Sequence, residues 1–452
     1  MKNIPTTRVH TIQEAEPQQS GQYVLYWMSR SFRSHWNYAL EYAVGWSEKL
    51  DRQLVVLVQL DKTQKQYTER HIQFLLQGLK VVKAALNERG IKFVLRVAGI
   101  TDVLQELVAD TCAIVTDYPY LLAHQERLDA ATSVTNLPIV ALEGNVVIPV
   151  STAAEKQEYA ARTIRKQLQE QYEDFLVKPT SSAIDQPSKN LRINSLDFTS
   201  SQEVIAQLRF SEHATLENPE FKGGERAAQH YLDTFLRKKM TNYDAKRQSP
   251  TQAAVSYLGP YLAWGMMAPA YVLSRLQRYD ESDNTGSFLE EVLVRRELAH
   301  NFVHYASPYD SFHALPDWAK ETLNQHKSDE REHVYTRTEF EQGNTHDEAW
   351  NACQQQLRER GYLHNHLRMY WGKQILAWSN TPQYALKTLL YLNNKYFLDG
   401  NNANSYANAL WVFGLHDRAW QENEVFGKVR LMNRSGLDRK IDVEELLETT
   451  SQ

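Results

Sequence analysis

Two cysteines in 452 residues, Cys112 and Cys353, are too few for a disulfide framework or a thiolate metal site. No apolar run reaches the length of about 18 residues that a membrane-spanning helix needs. The N-terminal stretch MKNIPTTRVHTIQEAEPQQ lacks the basic-then-apolar order of a secretory signal. These absences lead us to expect a reduced, soluble, cytoplasmic protein. The chain also lacks a basic excess, with a formal net charge of −5. A face for nucleic acid would therefore have to be a local patch. Several motifs are missing as well. No GxGxxG follows a strand-like run, and no Walker A sequence, HExxH or GxSxG occurs. His364 and His366 are two apart and point to different faces of a helix, so they do not form a metal pair. Hydrolase, kinase and dehydrogenase chemistry lose their usual footholds. What remains open is redox chemistry carried by a cofactor that no short motif announces.

Aromatic residues are plentiful, with ten Trp and 24 Tyr. That suits a large flat ligand, a flavin or a base, and equally suits helical packing. Trp371 and Trp378 lie in HNHLRMYWGKQILAW, and Trp350 lies in THDEAWNA. Seven residues are two helical turns, which puts Trp371 and Trp378 on one face with Cα atoms roughly 10.5 Å apart. A third Trp on a neighbouring helix can stand between them as a stepping stone for an electron. The same spacing fits three core tryptophans, and spacing alone leaves both readings open.

The first third alternates strand and helix signals. YVLYWM (23–28), LVVLVQL (54–60), FVLRV (93–97), AIVTD (113–117) and PIVAL (138–142) are continuous apolar runs separated by helical patterns at 35–50 and 68–87 and after the 93–97 strand. Such runs predict a parallel sheet covered on both faces. A charged helix is expected at about 155–177, and KPTSSAIDQPSKN after it reads as a linker. From about residue 220 the signals are helical. The expected organisation is an α/β, Rossmann-like domain over 20–175, a linker over 176–219 and an all-α domain over 220–452.

Longer stretches carry a family signature. NNKYFLDGNNANSYANALWVFGLHDRAWQENEVFGKVRLMN (393–433), SFLEEVLVRRELAHNFVHYASPYD (287–310), TAAEKQEYAARTIR and the two tryptophan segments strongly resemble class II cyclobutane pyrimidine dimer (CPD) DNA photolyases. The resemblance runs in order from about residue 20 to 440. It implies an N-terminal antenna-type domain and a helical domain holding a U-shaped, non-covalent FAD. It implies light-driven repair of pyrimidine dimers in DNA, by a monomer, with a second antenna chromophore of unspecified identity. A cryptochrome-like photoreceptor without repair, and a nucleic-acid-binding flavoprotein without photochemistry, are the alternatives.

The resemblance assigns roles residue by residue. The electron chain falls on Trp371 (nearest the flavin), Trp350 (middle) and Trp378 (outer). The ion pair beside the isoalloxazine falls on Arg368 and Asp399, and the amide near flavin N5 on Asn393, with Asn404 as second choice. Tyr243 and the turn Ser256, Tyr257, Leu258, Gly259 match the region that wraps the FAD phosphates. The lesion is expected at Glu291, Met369 and Trp411. Glu290 faces about 100° away from Glu291 on a helix, so only one of the two lines the cavity. Arg247, Arg418, Lys428 and Arg430 are candidate phosphate contacts. The chain departs from the family where SYLGPYLAWG carries Gly259, Ala263 and Trp264 in place of a serine and a His–Phe pair, and where Gln248 follows Arg247.

Overall fold

The computed structural model describes residues 3–215, 221–252, 254–438 and 443. Eight strands occur among them: β1 (Val9–Gln13), β2 (Tyr23–Trp27), β3 (Gln53–Leu60), β4 (Thr63–Gln64), β5 (Lys92–Val97), β6 (Thr111–Asp117), β7 (Ile139–Leu142) and β8 (Arg209–Phe210). Six of them form one sheet in the order β1-β7-β6-β2-β3-β5. The pairs β6–β7, β6–β2, β2–β3 and β3–β5 are parallel, and β1 alone runs antiparallel along the β7 edge. All five residues of β2 and all seven of β6 are buried, as continuous apolar strands in the middle of a covered sheet should be. β1 lies ahead of residue 20, where the expected domain began. Its sequence VHTIQ is half polar and only half-buried, the pattern of an edge rather than of a covered strand.

The chain leaves β2 in one direction, through β3 to β5, and returns to lay β6 and β7 on the other side. A ligand crevice belongs at such a reversal, outside the carboxyl ends of the strands. Here the crevice is closed by the protein itself. One oxygen of Asp117, at the end of β6, accepts the amides of Ser29, Arg30 and Ser31 at 2.9, 2.8 and 3.0 Å. Three donors that could cradle a phosphate are thereby satisfied.

The stretch expected as a linker folds back on the sheet. Leu196 N donates to Leu95 O at 2.8 Å, the helix Ser201–Ile205 follows, and β8 pairs with β4. Beyond it, α-helical segments predominate, and they share a core with the sheet. Leu258, Tyr261, Trp264 and Met266 belong to the same buried cluster as Val24, Val56 and Ile72. Buried polar groups stitch the two halves: Glu297 accepts the amides of Val147 and Ile148, and Glu225 accepts His35 N and the Ser34 hydroxyl. Gly265, at φ +59°, makes the seam possible, because a Cβ there would lie 2.1 Å from Arg30 O. Among the described residues no helix is long and apolar enough to cross a membrane.

Candidate functional site

The tryptophan segments form two packed helices, Glu348–Arg360 and Asn365–Ala377. Asp347 caps the first by accepting Trp350 N, and Gly361, in the left-handed conformation, ends it and turns the chain into the second. Trp350 and Trp371 are fully buried and Trp378 is half-buried. The Trp350 and Trp371 rings stack with centroids 6.4 Å apart and planes 7° from parallel. Trp378 meets Trp350 at 6.2 Å and 67°. Trp350 thus stands between the other two, and the three indoles run from the interior toward the surface. Their inner N–H groups are spoken for: Trp371 Nε1 donates to Gln354 Oε1 and Trp350 Nε1 to Trp371 O, both at 2.9 Å.

The inner end of this row meets an ion pair. Trp371 packs edge-on against Phe397 at 5.7 Å, and the guanidinium of Arg368 lies 3.8 Å above the same ring. Arg368 Nη2 reaches both oxygens of Asp399, at 3.1 and 3.2 Å. The two side chains are 20% and 17% exposed, so the pair is reachable rather than sealed. The loop carrying Asp399 is fixed by Asn402 and Ser405, whose side chains donate to the Asp399 carbonyl. Gly259 lies against the pair, since a Cβ there would stand 2.9 Å from Asp399 Oδ2. The missing side chain at this departure from the family pattern is room for the carboxylate. Asn393 is buried in the last turn of Pro382–Tyr396, and its carbonyl accepts Phe397 N. Asn404 N donates to Asn402 Oδ1, beside the Asp399 loop, and Asn404 lines a cleft with Arg30, His124, Asn145 and Arg296.

Tyr257 takes a φ of +57°, a conformation costly for a non-glycine residue and frequent at ligand clamps. Ser256 Oγ lies 3.4 Å from Leu258 N, which donates to it. The helix that follows, Gly259–Ala263, has only five residues and carries Pro260 in its first turn, which removes one N–H. It is a weaker anion seat than the expected helix start.

Tyr243, Arg247 and Glu291 come together in a second cluster. Arg247 Nη1 pairs with Glu291 Oε1 at 2.8 Å. Burial first, then the Glu291 charge, pushes the Tyr243 hydroxyl well above its ordinary value. Glu290 faces away and is held by Arg165 through two 2.9 Å bonds and by Arg295. The segment Glu290–Arg295 is a π-helix, a widened turn that often marks a functional site.

Met369 and Trp411 are half-buried, and Trp411 is flanked by cations. Lys373 Nζ lies 5.5 Å from its ring centre on one contact and Arg430 5.5 Å on another. Arg430 also pairs with Asp417 at 3.2 Å and covers Trp420 at 4.3 Å, while Arg418 covers Trp420 at 4.7 Å. Lys428 is exposed, and its carbonyl accepts Trp420 N. The four candidate phosphate contacts therefore divide. Arg247 is bound to Glu291, and the other three surround an exposed tryptophan.

Trp420 and Lys373 escaped sequence reasoning. Trp420 sits alone in a polar stretch without periodicity. Lys373 had a signal, a lysine in a run whose residues Tyr370–Leu376 are all buried. Its ammonium donates to Val412 O at 2.5 Å, and burial lowers it from 10.5 to about 7, against the pull of Asp417 and with the push of Arg430. A lysine depressed in the fold holds fewer protons than in the unfolded chain between those two values. Stability contributed by this group therefore rises from about pH 7 toward 10.5, and its cost is fully present below pH 7. Lys373→Met should accordingly raise the unfolding midpoint most at pH 7 and below, with the gap narrowing as pH rises. A gap independent of pH in thermal melts would contradict this.

A family model described as DNA photolyase matches residues 24–187. The deoxyribodipyrimidine photo-lyase of Methanothermobacter thermautotrophicus is 39% identical over 446 residues, 98% of each chain. That of Potorous tridactylus is 33% identical over 440 residues, 96% of this chain and 82% of the relative. An archaeal photolyase from Sulfolobus tokodaii, solved with two FAD molecules, has a TM-score of 0.71 at 15% identity, covering 94% of this chain and 88% of its own. A cryptochrome from Synechocystis reaches 0.69 at 12% identity, over 97% and 99%. The structural likenesses speak for an α/β sheet domain joined to a helical one. The full-length relatives settle the family: the chain belongs to the DNA photolyases.

Proposed function

We propose that this chain is a class II-type deoxyribodipyrimidine photo-lyase that splits cyclobutane pyrimidine dimers in DNA under light, with FAD held non-covalently. The observation that supports it most is the junction at Phe397, where a three-indole path meets the reachable Arg368–Asp399 pair. The residues there fit a flavin: a cation and a carboxylate in one accessible pair, an aromatic ring beside it, and a glycine that leaves room for the carboxylate. Reduced FAD, when bound, supplies the electron that opens the dimer's ring bonds and takes it back afterwards. Arg368 offsets negative charge on the reduced ring, Asp399 holds Arg368 in place, and Asn393 serves the N5 edge. Ser256–Gly259 and Tyr243 hold the phosphate end. Trp371, Trp350 and Trp378 refill an oxidised cofactor with electrons from the surface.

Repair, rather than signalling alone, is favoured by the mouth. Trp411 and Met369 provide apolar walls for a flipped-out pyrimidine dimer, and Glu291, oriented by Arg247, accepts a hydrogen bond from a base edge. Trp420 between Arg418 and Arg430 is a platform for an unstacked base beside its phosphates. We assign a second, light-harvesting chromophore to the cleft of about 490 Å³ beside the end of β3, lined by Phe32, Gln59, Tyr67, Arg127 and Trp264.

Cofactor and DNA binding test this reading together. Denatured protein should release FAD. Affinity for intact duplex should fall steeply with salt, because that binding is mostly counterion release. Affinity for dimer-containing duplex should keep a less salt-sensitive part from cavity contacts. Colourless protein that cannot be loaded with FAD, or equal affinity for both duplexes at every salt concentration, would sink it.

A further inference from the structure

Trp378 ends the row of indoles, yet two more rings touch it. Tyr335 lies 6.0 Å away, edge-on at 79°, and His346 lies 4.7 Å away at 67°. Tyr335 N donates to Trp378 O at 2.9 Å, which ties this loop to the end of the tryptophan helix. His346 holds the phenol twice. The Tyr335 oxygen accepts the His346 backbone N–H at 2.9 Å and lies 2.9 Å from His346 Nδ1. The phenol has one O–H to give, free to turn about the C–O bond; with the imidazole proton on Nε2, Tyr335 Oη donates it to Nδ1. Burial and the charge of His333, whose ring stacks on His346 at 3.6 Å, lower the imidazole from its ordinary value. Nδ1 is thus kept as an acceptor at neutral pH.

The inner indoles have no such partner. Trp371 Nε1 faces the Gln354 amide oxygen and Trp350 Nε1 faces a backbone carbonyl. Neither acceptor takes up a proton in water near neutrality. An oxidised indole there keeps its positive charge and can lose it only by drawing an electron from the next ring outward. Tyr335 is the first ring along the row whose own proton sits on a base.

We infer, resting on the reading that Trp371, Trp350 and Trp378 conduct electrons inward, that Tyr335 and His346 form the outer terminus of that path, where charge movement becomes proton release. Tyr335 gives one electron to the Trp378 radical cation and its phenolic proton to His346 Nδ1. Trp378 returns to its closed-shell state, Tyr335 is left as a neutral radical, and His346 becomes an imidazolium. His346 is exposed and passes the proton to water. The initial oxidant is a photo-excited flavin, and a small thiol in the medium restores Tyr335 by donating a hydrogen atom. Separation persists because recombination has to bring back a proton as well as an electron.

The first test needs no substitution. Flavin-loaded protein carrying ring-deuterated tyrosine is illuminated with blue light without thiol, frozen, and read by electron paramagnetic resonance. The expected radical has hyperfine structure that narrows with deuterated tyrosine and not with deuterated tryptophan. Tyr335→Phe keeps the ring and should leave an indole radical that decays at least about tenfold faster, the ratio for 1.36 kcal/mol of barrier. His346→Phe should abolish the tyrosyl signal although Tyr335 is intact, which a purely structural role for His346 would not produce. A radical labelled only through tryptophan in the unsubstituted protein, or a tyrosyl signal that survives Tyr335→Phe, overturns the inference and leaves the tryptophan path standing. Loss of the tyrosyl signal in Trp378→Phe supports both. Its full survival there overturns the path and the inference together.

Discussion

Trp371→Phe should leave the oxidised protein almost unable to photoreduce, while protein reduced chemically beforehand repairs dimers at a normal rate. Trp371 is the indole beside Phe397 and the Arg368–Asp399 pair, and it stacks on Trp350 within 7° of parallel. Without it, the next donor is Trp350, one ring further out. Phe retains most of the packing. The substitution also strips Gln354 Oε1, in a side chain fully buried, of its 2.9 Å donor. That loss should cost about 1–3 kcal/mol of stability, visible in thermal unfolding but too little to unfold the protein. Electron supply and repair are thereby separated in one variant. Photoreduction at the normal rate would return the three tryptophans to the role of core residues.

Trp411→Ala should show the opposite pattern. Stacking of a base on an aromatic ring is worth about 1–3 kcal/mol, so affinity for dimer-containing DNA should drop roughly 5- to 150-fold. Photoreduction should not change, because Trp411 has no ring contact with the Trp371–Trp350–Trp378 row among the described residues. Binding to intact duplex should change little, since Arg430 keeps its Asp417 partner and its place over Trp420. Anisotropy titrations with damaged and intact duplexes, beside light-driven flavin reduction, measure all three quantities. Equal loss on both duplexes would mean that Trp411 only shapes the surface.

The central strands were readable because each is apolar without interruption, which only a sheet covered on both faces demands. β1 was not, since five residues of mixed polarity on an edge carry no period that local context rewards. The segment 176–219 reads as a linker by composition, and its attachment to the rest of the fold rests on pairings with residues some 100 or more positions away, such as Leu196 with Leu95 and β8 with β4 in a small separate sheet. The seven-residue spacing put Trp371 and Trp378 on one face, but the place of Trp350 between them depends on how two helices pack. The resemblance chose Glu291, and helical geometry said only that Glu290 and Glu291 face apart; in the fold the two carboxylates do part, across a π-turn that spacing rules do not foresee. Tyr335 and His346 were silent for a different reason. They lie 43 and 32 residues before Trp378, in loops, and only tertiary contact makes them its neighbours.

The central claim is that this chain, once loaded with FAD and reduced, reverses pyrimidine dimers by light. The direct measurement mixes chemically reduced, FAD-loaded protein with a single-stranded or duplex oligonucleotide carrying one cyclobutane thymine dimer. Chromatography and mass spectrometry then follow the strand in blue light and in darkness. The account predicts that the dimer reverts to two thymines, with the strand unbroken, in the light and not in the dark. A protein that holds reduced FAD and binds the oligonucleotide, yet leaves the dimer intact under illumination, would contradict it.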